Sequence, residues 1–105
     1  MFRPQHGDEA LRRHRAHVAN ASYFLTLCTI DRRARLHMPT IARALHGEIT
    51  AIVTSGYWQL RAAVLMPDHL HLLVRLTGQL DISRCVARLK SKTKSALNSA
   101  NLHWQ

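Results

Sequence analysis

Two histidines with one residue between them, His69-Leu70-His71, are the residues in this chain whose type and spacing best suit chemistry. On a β-strand side chains alternate between faces, so both imidazoles would project on one side while Leu70, Leu72 and Val74 turn to the other. A divalent cation shared by the pair could polarise a phosphate oxygen and offset charge in a phosphoryl-transfer transition state, with its remaining ligands supplied from elsewhere. Taken alone, the same spacing also suits an exposed or hydrogen-bonded pair of histidines. Asp68 could orient an imidazole through a hydrogen bond or stabilise the turn at Pro67. His37, His46 and His103 have no partner at ligand spacing.

The second chemical feature is charge. Fifteen Lys and Arg against six Asp and Glu give a formal net charge of +9 over 105 residues, which favours polyanionic partners, although a basic composition also serves solubility. Arg84, Arg88, Lys90, Lys92 and Lys94 fall within one helical segment and could neutralise phosphates, with Ser91 and Thr93 adding hydroxyl contacts. An ordinary solvated helix face accounts for the same residues. Tyr23 and Tyr57 are the two tyrosines, and apolar packing explains both better than nucleophilic work. Trp104 suits covering apolar surface as well as stacking on a base.

The elements that must position these residues follow from periodicity and turn chemistry. Ser22 to Ile30 is rich in aromatic and β-branched residues and reads as a first, mostly buried strand, after which Asp31, Arg32 and Arg33 turn outward. A helix follows, with Thr40 as its cap, Ile41, Leu45, Ile49 and Ile52 at helical spacing, and Gly56 ending it. Trp58 to Met66 reads as a second strand, Pro67-Asp68 as a tight connection, and His69 to Leu76 as a third strand antiparallel to the second. Asp81 caps a second helix whose stripe is Ile82, Cys85, Val86, Leu89, Ala96 and Leu97.

The order strand, helix, strand, strand, helix predicts an α+β fold, a ferredoxin-like split β-α-β with an antiparallel sheet and two helices on one face. The right-handed crossover leaves room for the third strand between the first two, and little chain remains for a fourth. Residues 1–20 read as a loose N-terminal arm. No apolar run approaches the roughly 18 to 20 residues that span a bilayer, and the first residues carry no secretory signal. Cys28 and Cys85 lie far apart among apolar neighbours, as buried reduced thiols in a cytoplasmic protein would. An RNA-recognition domain shares this layout, but its aromatic base-stacking run has no counterpart here.

The stretch Ala63-Val-Leu-Met-Pro-Asp-His-Leu-His-Leu-Leu-Val74 resembles the signature of the His-hydrophobic-His (HUH) single-tyrosine transposases, including the REP-associated branch. The resemblance extends to Tyr23-Phe-Leu-Thr, to Tyr57-Trp-Gln-Leu, and to Leu89-Lys90 through Lys94 and Asn98. It implies a ferredoxin-like fold, Mg²⁺ or Mn²⁺ bound at His69 and His71, and a tyrosine hydroxyl that attacks single-stranded DNA to form a 5′-phosphotyrosine. It also implies DNA contacts from the second helix, with Lys90 and Lys94 leading. The nucleophilic tyrosine of that family lies on a later segment with no match here, so residues 21–105 are expected to be a partial, C-terminally truncated transposase domain. The expected function is metal-dependent binding, nicking and strand transfer of single-stranded or hairpin DNA. The alternative is a non-catalytic module that binds the same DNA, and an open sheet edge would suit a homodimer.

Overall fold

The computed structural model describes residues 20–105, so the N-terminal arm expected over residues 1–20 falls, but for Asn20, outside the described residues. Strand β1 runs Ser22–Cys28, helix α1 Pro39–Thr54, strand β2 Trp58–Leu65, strand β3 His69–Leu76 and helix α2 Ile82–Ser99. The sheet order is β1-β3-β2, with β3 antiparallel to both neighbours. The third strand therefore occupies the gap that the β1-α1-β2 crossover leaves, as the sequence predicts.

Burial alternates along β3, where Leu70, Leu72, Val74 and Leu76 are buried and the residues between them are not. Those four, with Tyr23, Leu25 and Leu27 of β1, meet Ile41, Leu45, Ile49 and Ile52 of α1 and Ile82, Cys85, Val86, Leu89 and Leu97 of α2 in one core. Both helices thus cover the same face of the sheet. The opposite face, open among the described residues, carries Phe24, Val64 and Leu73 as exposed apolar residues, while Thr26 and Cys28 on it are buried.

Several element ends differ from expectation for local reasons. β1 stops at Cys28, and a 3-10 turn over Ile30–Arg32 follows, with Asp31 at φ 58° and Arg32 at φ 51° in the left-handed region. Helix α1 begins at Pro39 with Met38 as its cap, so Thr40 lies inside the helix instead of capping it. Proline favours this first position because its missing N–H would have no partner there anyway. Gly56, at φ +81°, ends the helix as expected, with its N–H on the Val53 carbonyl at 2.9 Å. Asp81 caps α2 as predicted, accepting from the Arg84 N–H at 2.7 Å.

Among the described residues the sheet has three strands. The residues after α2 nevertheless return to the free edge of β1. Thr29 and Trp104 form an isolated antiparallel bridge, the Ile30 N–H donates to the His103 carbonyl at 2.8 Å, and the Gln105 N–H donates to the Cys28 carbonyl at 2.9 Å. One rung of pairing thereby covers the end of an otherwise open edge.

Candidate functional site

The alternation that buries Leu70 and Leu72 puts His69 and His71 side by side on the open face. Their ring centroids lie 4.5 Å apart with planes at 77°. Each ring is oriented from behind through Nδ1. The Asp68 carboxylate stands 2.6 Å from the His69 Nδ1, and Thr26, opposite His71 in the β1–β3 register, brings its hydroxyl to 3.1 Å from the His71 Nδ1. A proton on the His69 Nδ1, accepted by the Asp68 carboxylate, leaves Nε2 as the lone-pair nitrogen of that ring, while the Thr26 hydroxyl can either accept from the His71 Nδ1 or donate to it.

Arg32 completes this arrangement, and the sequence gives no sign of it. Its side chain turns outward as expected, more than half exposed, but its Nε donates to Asp68 Oδ2 at 3.0 Å, and its Nη2 lies 3.3 Å from the His69 Nδ1. Two donors cannot satisfy one another, so with the Nδ1 proton given to Asp68 the bond that Arg32 makes is the one to the carboxylate. The hydrogen bonds from His69 and then Arg32 hold the Asp68 carboxyl below its ordinary range, outweighing its desolvation. Asp68 in turn raises the Arg32 guanidinium.

The turn that presents Asp68 is fastened to the loop that presents Arg32. The N–H of the buried Thr29 donates to the Asp68 carbonyl at 3.1 Å, and its hydroxyl donates to the Arg33 carbonyl at 2.8 Å. The Leu36 N–H donates to the Pro67 carbonyl at 2.8 Å. These bonds hold the left-handed residues Asp31 and Arg32 in place, a conformation that persists only where its surroundings enforce it.

Among the described residues no cluster of three or more His, Cys, Asp and Glu gathers at ligating distance. Tyr23 is buried on the core face of β1, across the sheet from the histidines. Tyr57 precedes Trp58, which pairs with Leu76 at the end of β3 remote from His69. The Arg88 guanidinium lies 5.8 Å over its ring. Both cysteine thiols are buried and no disulfide joins them.

The five basic residues of α2 do not share one face. Lys90 and Lys94 line a groove of about 410 Å3 with Ser91, Leu97, Asn98, His103 and Trp104. The Lys90 Nζ donates to the Gln105 carbonyl at 3.1 Å, and partial burial lowers its pKa. Arg88 faces the other way, 3.5 Å from the Glu48 carboxylate of α1, and Arg84 lies 3.9 Å from Asp81. Lys92 is exposed. Thr93 is fully buried, its hydroxyl donating to the Leu89 carbonyl at 2.7 Å and accepting from the Trp104 indole at 3.0 Å, so it cannot offer the phosphate contact expected of it.

A family model described as "Transposase IS200 like" matches residues 17–105. The chain belongs to the IS200-like transposase family. Among solved structures, a REP-associated tyrosine transposase bound to a REP hairpin superposes with a TM-score of 0.69 at 25% identity over 88% of this chain. A transposase candidate from Deinococcus radiodurans R1 superposes with a TM-score of 0.63 at 31% identity over 83% of it. The IS200-like chain spans 55% of the first protein's length and 66% of the second's. No curated protein matches it. The IS200-like assignment accords with the three-stranded antiparallel sheet and two helices described above.

Proposed function

We propose that this IS200-like chain acts in DNA transposition, presenting a phosphodiester of single-stranded or hairpin DNA to a divalent ion, Mg²⁺ or Mn²⁺, at His69 and His71 for nicking and strand transfer. The observation that carries the reading is the orientation of both rings from behind, by Asp68 and by Thr26, which is how proteins fix histidine ligands. The donor set fits: two neutral imidazoles on one face suit a divalent cation while leaving positions for substrate oxygens. A bound ion would polarise a phosphate oxygen and offset charge developing in phosphoryl transfer. Arg32, more than half exposed beside His69, adds fixed positive charge toward the same phosphate.

Lys90 and Lys94 supply the second part of the reading. Their groove reaches the end of the sheet that carries His69, because His103 and Trp104 pair with Ile30 and Thr29, and Thr29 bonds Asp68. A polyanion bound along α2 would have Lys90 and Lys94 at one end of this path and Arg32, beside the histidines, at the other. Arg84, Arg88 and Lys92 lie off that path and contribute general attraction. The same reading places the protein in the cytoplasm; no helix among the described residues is long and apolar enough to cross a membrane. A second copy of the chain pairing along the open part of β1 belongs to this proposal too.

The burial of Tyr23 and the remote position of Tyr57 favour a second reading, in which this chain binds the DNA without cutting it. One experiment separates the two: labelled single-stranded hairpin DNA is incubated with the protein and Mn²⁺, and retention and cleavage are scored beside His69→Ala/His71→Ala. Cleavage lost in the double variant supports the nuclease. Retention without cleavage supports the binding module, and the absence of both sinks each reading.

A further inference from the structure

The open face of the sheet carries an aromatic ring that neither the core nor the histidine pair explains. Phe24 is 58% exposed, and its ring stacks on that of His71, with centroids 5.4 Å apart and planes at 14°. Ala62, Ala63, Val64 and Leu73 join Phe24 and His71 around a shallow apolar cleft of about 120 Å3. The bulge in β2 between Leu60 and Ala62 places the small Ala62 opposite Leu73, which keeps the cleft open.

We infer that Phe24 is a stacking platform for an unpaired nucleobase of single-stranded DNA, the base next to the phosphodiester held at His69 and His71. The inference rests on the DNA-binding reading above and names what one part of that site takes. An aromatic ring on a sheet face beside positive charge is the usual means of holding single-stranded nucleic acid without strong sequence preference, because every base has a π-face. The parallel stacking on His71 fixes the orientation of the Phe24 ring, so little rotamer freedom is lost when a base adds to it. Its distance from His71 is within the reach of the sugar and base attached to a phosphate at the histidines.

Charge decides between a base and a protein as the occupant. Beyond the cleft at one end Arg32 stands next to His69, and beyond the other Arg75 follows Leu73 on the same side of β3, in register with Ser22 and Gln59. An apolar strip bounded by guanidinium groups matches the alternation of base and phosphate along a single strand. A second copy laid over this face would set like charge against the same arginines, whereas pairing along the edge of β1 leaves the face uncovered.

The test uses a DNA hairpin with a single-stranded tail, the same hairpin with abasic residues throughout the tail, and the bare stem, bound to the full chain in Mn²⁺. The wild type is expected to prefer the base-bearing tail over the abasic one by about tenfold, as one stacked base provides. Phe24→Ala and Phe24→Leu abolish that preference while leaving affinity for the bare stem unchanged. Phe24→Trp preserves it. Equal wild-type affinity for the two tails, or a preference that survives in Phe24→Leu, overturns the platform while stem binding leaves the broader reading intact. Failure to bind the bare stem as well overturns both. A shift from dimer to monomer in sedimentation of Phe24→Ala, with the preference kept, would assign the face to a second copy and overturn the platform.

Discussion

His69 and His71 acquire their chemical character from the atoms behind them. Asp68 and Thr26 each hold a ring through its Nδ1, so removing either partner leaves that imidazole present but unoriented. Asp68→Ala and Thr26→Val are each expected to weaken Mn²⁺ binding by about 10- to 100-fold, read by isothermal titration, with the circular dichroism spectrum unchanged. The histidine pair was legible in the sequence because alternation on a strand is local. Thr26 and Arg32 were not, because their partners lie 45 and 36 residues away and nothing local links them. Cys85 gives a separate test of burial. Desolvation, followed by the charge of Asp81, pushes its thiol from an ordinary 9.0 up to about 12. Because the fold favours the neutral thiol, that contribution to stability is complete below about pH 9 and is lost as pH rises toward about 12. Iodoacetamide should accordingly label Cys85 in the native protein far more slowly than in urea, and equal rates would contradict its burial.

Among the elements, α2 carries the most separable roles. Its apolar stripe and its Asp81 cap were readable from the sequence, and Asp81→Ala should cost about 1 kcal/mol in urea denaturation by leaving the Arg84 N–H without its acceptor. The division of its basic residues was not readable, because spacing along a helix does not reveal which neighbour each face meets. Lys90→Ala and Lys94→Ala should each lower DNA affinity and reduce the slope of log affinity against log salt by about 1, measured by fluorescence anisotropy. Arg88→Ala should behave differently, since it removes the ion partner of the mostly buried Glu48 and the cation over Tyr57. Its expected effect is a loss of stability with a smaller change in salt slope. An unchanged melting temperature with a full unit of slope lost would return Arg88 to the DNA face.

At the scale of the whole molecule, the element order predicted the topology because a right-handed crossover admits few arrangements for two helices and three strands. What it could not show was the return of the chain to the β1 edge, since a single bridge leaves no periodic signal. Trp104 holds that return in place. It packs half-buried against the core, bridges Thr29, and donates its indole N–H to the buried hydroxyl of Thr93. Trp104→Ala would remove this contact, strip one wall from the Lys90–Lys94 groove and bare the end of β1. Full truncation of a buried tryptophan costs about 3 to 5 kcal/mol, so this partly buried one should cost about 2 kcal/mol, a fall of roughly 10 °C in melting temperature for a domain of this size. Trp104→Phe keeps the packing and loses only the hydrogen bond, so it should recover more than half of the difference. If the bridge also protects the strand edge, Trp104→Ala should self-associate in sedimentation while Trp104→Phe does not. Equal melting temperatures for wild type and Trp104→Ala would mean that the returning segment is no part of the stable fold, and the groove beside α2 would then lose its fixed wall.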